Sequence, residues 1–72
     1  MRVGVPKEIK PDEYRVGLTP TAVREYAARG HEVMVQAGAG LGAGFSDDMF
    51  VRAGAEILPD AESVFAAANM IV

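Results

Sequence analysis

The chain has 72 residues, of which 50% are hydrophobic and 24% are charged, with a net charge of −3 and no cysteine. This size and composition exclude a disordered chain and two separate domains, the acidic balance argues against a nucleic-acid partner, and the lack of cysteine excludes disulfides and thiolate metal sites. Because no apolar stretch approaches the ~18 residues of a membrane span and residues 1–7 lack the apolar segment of a secretory signal, we expect a cytoplasmic protein with no membrane partner.

The chain begins with a predicted buried strand. The segment Arg2–Val5 is short and mostly apolar, and Pro6 ends it because proline lacks the amide hydrogen that a sheet requires. Residues 7–18 are polar and irregular. They are therefore predicted to form a loop that leaves the carboxyl end of this strand.

A helix and a second strand follow. Thr19 and Pro20 are typical of an N-cap followed by a proline in the first helical turn. The helix is predicted to run to about Arg29, with Gly30 supplying the left-handed conformation that commonly ends a helix. The apolar run Val33–Val35 predicts the next strand.

The second half of the chain repeats this alternation. A glycine-rich connection, Gly38–Gly44, leads to a short helix that Ser46 caps and Gly54 ends. A third strand, a third helix and the start of a fourth strand are predicted at Glu56–Leu58, Asp60–Ala68 and Asn69–Val72. The pattern predicts an α/β fold with an open, mostly parallel sheet of the Rossmann-like or flavodoxin-like kind. Because the fourth strand ends apolar and uncapped, we expect the chain to be truncated within it.

The loop after the first strand carries the first candidate site. Ligands of open α/β sheets bind outside the carboxyl ends of the strands, and this loop contains Arg15. Arginine can grip a carboxylate with two parallel hydrogen bonds, so Arg15 is a candidate anion clamp. The competing interpretation is a solvent-exposed ion pair with Asp12 or Glu13, which contributes little. On spacing alone the exposed pair is favoured, because one arginine is a weak motif.

The glycine-rich connection is the second candidate. Its segment Gly38–Ala43 has the G-x-G-x-x-A spacing of a loosened dinucleotide fingerprint, with Asp60 about 20 residues further on. The cap Ser46 separates these glycines from the following helix, however, and Asp47 and Asp48 occupy the helix N-terminus where they would repel a pyrophosphate. We therefore predict no cofactor site in this chain and interpret the glycines as allowing close backbone approach.

His31 is the single histidine and the third candidate. Histidine is a natural acid–base group. It lies, however, at the amino end of the second predicted strand, opposite the edge at which ligands bind. A solvated or capping role is therefore favoured. The chain is predicted to contain no catalytic residue and no metal ligand.

Several short motifs run along almost the whole chain. They are Gly4–Lys10, Glu13, Arg15–Val16, Thr19–Pro20, Gly30–Val33, Ala37–Gly42, Gly44–Asp47 and Ala53–Ala55. In this order they resemble the N-terminal signature of the alanine dehydrogenase and pyridine nucleotide transhydrogenase family, and the first motif is more similar to alanine dehydrogenases. The departures are Asp12 in place of the usual asparagine, Gly17 in place of alanine, and Tyr26 in place of leucine or isoleucine.

The resemblance implies an activity. Alanine dehydrogenases reversibly oxidise L-alanine to pyruvate and ammonia with NAD as hydride acceptor, have two α/β domains around a cleft, and usually form hexamers. By this resemblance, residues 1–72 are the first portion of the N-terminal substrate domain, and the NAD-binding domain lies outside this chain. Arg15 is implied to bind the substrate carboxylate. The family's substrate lysine and its catalytic histidine and aspartate are implied to follow residue 72, so the chain alone is predicted to be inactive.

Two other interpretations stay open. The chain could be the N-terminal part of the alpha subunit of a proton-translocating NAD(P) transhydrogenase, which belongs to the same family. It could also be a non-catalytic α/β binding or assembly fragment. The first of these differs from alanine dehydrogenase in the residues expected to follow this chain.

Overall fold

The computed structural model describes residues 1–7 and 17–72. Within these residues, strands and α-helices alternate as the sequence predicts. The elements are β1 (Arg2–Val5), α1 (Pro20–Ala28), β2 (Glu32–Gln36), α2 (Asp47–Ala53), β3 (Glu56–Leu58), α3 (Ala61–Ala67) and β4 (Met70–Ile71). A 3-10 turn at Leu41–Ala43 lies in the glycine-rich connection. The sequence pattern does not predict this turn, because a three-residue helix has no hydrophobic period.

Three capping side chains begin the helices at the predicted positions. The hydroxyl oxygens of Thr19 and Ser46 accept hydrogen bonds from backbone amides three residues further on, at 3.2 and 3.3 Å. A carboxylate oxygen of Asp60 accepts the equivalent amide hydrogen at 2.8 Å. Each bond satisfies one of the amides that the first helical turn leaves without a partner, and such a cap contributes about 1 kcal/mol.

The strands of the described part of the chain form one parallel sheet in the order β3-β2-β1-β4. Val3 of β1 lies opposite Val33 of β2 on one side and opposite Met70 of β4 on the other. The connections from β1 to β2 and from β2 to β3 step in one direction, whereas the connection from β3 to β4 returns across the sheet. The strand order therefore reverses at β1. The predicted open α/β sheet is confirmed, with every described strand pair parallel.

The main core lies between the sheet and the helices α1 and α2. Side chains alternate between the two faces of a strand, so Val3 and Val5 of β1 both point to this face. They are completely buried, as is Phe50 of α2. The buried members of this core are Val3, Val5, Val23, Val33, Val35, Ala39, Phe50, Ala53 and Ala55.

Helix α3 packs on the opposite face of the sheet, directly over Gly4 of β1. A Cβ atom at Gly4 would lie 2.7 Å from the Cβ of Ala68 and 2.8 Å from the Cγ1 of Val64. Carbon atoms pack best at about 3.5–4.0 Å, so a side chain at this position has no room. Glycine in the middle of β1 therefore allows α3 to approach the sheet closely.

Gly4→Ala is expected to lower the free energy of unfolding of the purified protein by about 1–3 kcal/mol, because the added methyl group overpacks the contact with α3. Urea denaturation followed by circular dichroism measures this change. An unchanged unfolding midpoint would contradict the close packing of α3 on β1.

Candidate functional site

The carboxyl ends of β1, β2 and β3 form one edge of the sheet, here called the carboxyl edge. The strands end there at Val5, Gln36 and Leu58. Open α/β sheets bind their ligands at this edge, next to the point where the strand order reverses. In this sheet the reversal is at β1. The loop that follows β1 therefore leaves the sheet at the position where a ligand is expected.

Arg15, which the resemblance implies as the substrate-binding residue, lies outside the described residues, as do Asp12 and Glu13. The structure describes the two residues that flank this part of the loop, Lys7 and Gly17. Lys7 follows β1 at the carboxyl edge. The role of Arg15 and the competing exposed ion pair both stay predictions.

Gln36 holds the start of this loop. The backbone amide of Lys7 donates a hydrogen bond to the side-chain Oε1 of Gln36 at 2.8 Å. The Gly4 carbonyl accepts from the Val72 amide on the β4 side, so by alternation Pro6 also faces β4 and the amide of Lys7 is the next donor that faces β2. The Gln36 side chain thus takes over where backbone pairing stops. Sequence reasoning missed this contact, because it joins residues 29 positions apart and no local pattern signals it.

Backbone geometry and packing account for the glycines of the glycine-rich connection. Gly38 and Gly44 have φ angles of 81° and 88°, in the left-handed region that side chains with a Cβ rarely adopt. A Cβ at Gly40 would lie 2.5 Å from the Cε2 of Phe50, a core residue of α2. Backbone conformation and packing therefore explain why glycine occupies these positions, without a bound phosphate.

One backbone amide of the glycine-rich connection is already bonded to a carboxylate of α2. A carboxylate oxygen of Asp47 accepts a hydrogen bond from the backbone amide of Gly38 at 2.9 Å. Asp48 lies beside it in the first turn of α2 and forms an ion pair with Arg52 at 2.8 Å. Two carboxylates at this helix N-terminus would repel a pyrophosphate, so the described residues do not fit a dinucleotide here. That the chain binds no NAD stays a prediction.

Asp60, the acidic residue at the fingerprint distance, is engaged as the N-cap of α3. The hydrogen bond from the backbone amide of Ser63, together with one from the Ser63 side chain, holds the pKa of the Asp60 carboxyl below its usual value of 3.8. This carboxylate therefore stabilises a helix start. In a dinucleotide site the corresponding carboxylate would bind the ribose.

His31 lies at the edge of the sheet opposite the carboxyl edge. Its Nδ1 is 3.4 Å from the amino group of Met1, and its ring centroid is 5.8 Å from that of Tyr26. Met1 directly precedes β1, and Tyr26 lies in the last turn of α1. The predicted placement of His31 away from the ligand-binding edge is confirmed.

Residues 1–7 and 17–72 contain no group of three or more histidine, aspartate or glutamate side chains that could hold a metal ion. None of their helices has the length and apolar character needed to cross a membrane.

Comparison with known proteins gives one consistent result. Residues 4–72 match the family described as "Alanine dehydrogenase/PNT, N-terminal domain". The chain is 50% identical over all 72 residues to an alanine dehydrogenase of Methanococcus maripaludis, and 42% identical over the same length to the NAD(P) transhydrogenase subunit alpha of Cereibacter sphaeroides. A solved L-alanine dehydrogenase structure superimposes on the whole chain with a TM-score of 0.96 at 47% identity.

The chain corresponds to a small part of each of these proteins. It covers 19% of the Methanococcus enzyme, 14% of the transhydrogenase subunit and 20% of the solved L-alanine dehydrogenase chain. The similarity therefore concerns one portion of a much longer protein.

Proposed function

The chain belongs to the family of alanine dehydrogenase/PNT N-terminal domains, and we propose that it forms the first portion of the substrate domain of an NAD-dependent L-alanine dehydrogenase. The observation that carries this proposal is the similarity to alanine dehydrogenases along the entire chain, in sequence and in fold. The NAD-binding domain belongs to the part of the protein outside these residues. We further propose a cytoplasmic homo-oligomer, a hexamer by analogy with the family.

In this proposal Arg15 binds the carboxylate that alanine and pyruvate share. Its loop begins at Lys7, at the carboxyl edge next to the strand-order reversal, which supports a position in the substrate cleft. A guanidinium holds a carboxylate in one orientation through two parallel hydrogen bonds. Such a clamp orients the carbon from which the hydride leaves, and orientation is a large part of catalysis.

The remaining chemistry lies outside this chain. Oxidation removes a hydride from the α-carbon of alanine and a proton from its nitrogen, water then adds to the carbon of the resulting imine, and ammonia leaves to give pyruvate. NAD, when bound by its own domain, supplies the hydride acceptor. The described residues contribute the carboxyl edge of the sheet and Lys7, at which the loop containing Arg15 begins, and no proton-transfer group is assigned to them.

The second candidate is the alpha subunit of a proton-translocating transhydrogenase. The 42% identity to such a subunit supports it, but it is lower than the 50% identity to the alanine dehydrogenase. The third candidate is a non-catalytic binding or assembly fragment. Hydride transfer is expected only of the alanine dehydrogenase and the transhydrogenase. The hydride donor is alanine in the first and NADPH in the second.

Rate measurements on the full-length protein test the proposal. An alanine dehydrogenase forms NADH only when L-alanine is present, and it consumes NADH when pyruvate and ammonia are supplied together. Hydride exchange between NADPH and an NAD analogue, without dependence on alanine, would instead establish the transhydrogenase. A folded full-length protein with neither activity would favour the non-catalytic fragment.

The 72-residue chain by itself is expected neither to bind NAD nor to oxidise alanine. The first expectation has two physical reasons: two carboxylates lie at the start of α2, and the Gly38 amide already donates to Asp47. Isothermal titration calorimetry with NAD checks the first expectation. Micromolar binding would contradict it and would restore the dinucleotide interpretation of the glycine-rich connection.

A further inference from the structure

We propose that the apolar strip beside α3 is the docking surface for the first crossover helix that follows β4 in the full-length protein. The strip, here called the β4 groove, is bordered by Phe65 of α3, by Ala68 at the end of that helix and by Ile71 of β4. This inference rests on the proposed function in one respect, that these residues are the first portion of a longer protein.

Ile71 points to the face of the sheet on which α3 packs. It is in register with Gly4 of β1. A Cβ atom at Gly4 would lie 2.9 Å from the Cδ1 of Ile71 and 2.7 Å from the Cβ of Ala68, so Ile71 lies directly beside α3. Its surface is nevertheless 41% exposed, whereas Val64 of α3 is completely buried. On this face, apolar side chains are therefore covered over β1 and open over β4.

Phe65 borders the same opening from the side of α3. Successive residues of an α-helix are rotated by about 100°, so Phe65 projects sideways when Val64 points into the sheet. A right-handed crossover brings its helix back antiparallel to the strands, and in that geometry the rotation from Val64 to Phe65 turns toward β4. Phe65 is 55% exposed. Phe65 and Ile71 thus place two large apolar side chains along one open strip.

The topology indicates which element covers the β4 groove. The connections through α1 and α2 step from β1 toward β3, and both helices pack on the face of the main core. The connection through α3 steps the other way, and α3 packs on the opposite face. In right-handed crossovers the direction of the step determines the face of the helix. A strand added on the outer side of β4 continues the step of α3, so its connecting helix lies beside α3.

The length of the related proteins provides such an element. The chain spans 19% of the Methanococcus enzyme and 20% of the solved L-alanine dehydrogenase chain, so most of the proposed full-length protein lies outside these residues. Sequential strands are neighbours about two-thirds of the time, which favours the outer side of β4 for the next strand. A helix seated in the β4 groove then removes the exposed surface of Phe65 and Ile71 from water, which stabilises the fold.

Photo-cross-linking from position 65 of the full-length protein tests the inference. Phe65→p-benzoylphenylalanine keeps an aromatic ring in the groove and adds a benzophenone that, on irradiation, bonds to C–H groups in contact with it. Mass spectrometry is expected to identify a peptide of the same polypeptide from the segment directly after β4. The matched control is Val51→p-benzoylphenylalanine, since Val51 of α2 is 52% exposed on a helix of the other face. This control is expected to give no cross-link to that segment.

Thiol labelling gives a second measurement that does not depend on cross-linking yield. Phe65→Cys and Val51→Cys are compared in the folded full-length protein, after subtraction of the wild-type rate. A covered position is labelled only when the structure opens locally, so we expect labelling at position 65 to be at least about tenfold slower than at position 51. In denaturant the two rates are expected to be equal.

Each other outcome overturns the inference or the proposed function separately. A cross-link between two polypeptides, seen as a doubled mass, overturns the inference in favour of an interface between copies. Cross-linking to a different segment of the same polypeptide, or labelling that is equally fast at both positions, also overturns it. A full-length protein that gives the expected cross-link but does not oxidise alanine overturns the proposed function alone, because the groove depends on the topology and not on the reaction.

Discussion

Full-length Arg15→Lys is expected to have a kcat/KM for L-alanine that is about ten- to a hundredfold below that of the wild type. Lysine keeps the charge but loses the paired hydrogen bonds, and one charge-assisted hydrogen bond contributes roughly 1.5–3 kcal/mol. Arg15→Ala is expected to lose more, because the substrate carboxylate is then desolvated without a partner. Steady-state rates with varied alanine measure both effects.

Two comparisons make this prediction specific. The KM for NAD and the thermal midpoint are expected to change little, because a cleft arginine contributes to substrate binding and not to the core. Arg24→Lys is the matched control, since Arg24 is an exposed residue of α1. Wild-type kinetics in a folded Arg15→Ala enzyme would contradict the substrate-binding role of Arg15 and favour the exposed-pair interpretation.

Phe50→Ala is expected to produce the largest loss of stability, about 3–5 kcal/mol in the free energy of unfolding. The Phe50 side chain is completely buried, packs edge-on against Phe45 with ring centroids 6.2 Å apart, and lies against Gly40. Its removal leaves a cavity between α2, the sheet and the glycine-rich connection. Chemical denaturation of the full-length protein measures this loss.

Val51→Ala is the matched control for Phe50→Ala. Val51 is on the same helix, but 52% of its surface is exposed. Truncation to alanine there is expected to change stability far less, because little apolar surface returns to water. Equal losses for the two variants would contradict the assignment of Phe50 to the core.

Most of the fold could be predicted because its signals are local. Pro6 ends β1, and Thr19, Ser46 and Asp60 each begin a helix, since a side-chain oxygen close to free amides acts within a single turn. Gly30 adopts the predicted left-handed conformation after α1, with φ 87°. Alternation of strands with helices then indicates parallel pairing, because a crossover returns each strand in the same direction.

The remaining features depend on contacts between distant segments. The strand order β3-β2-β1-β4 depends on which side of β1 the last strand joins. The close packing of α3 on Gly4 also has no signal in a single sequence. The bond from Lys7 to Gln36 is equally non-local. The sequence therefore predicts the candidate site only as a loop that begins at the carboxyl edge of the sheet, and the role of Arg15 rests on the family resemblance.

A crystal structure of the full-length enzyme with pyruvate bound tests the central claim most directly. We expect the guanidinium of Arg15 to form two hydrogen bonds of about 2.7–2.9 Å with the pyruvate carboxylate, at the carboxyl edge beside Lys7 and Gln36. A carboxylate held by other residues, with Arg15 pointing into solvent, would contradict it.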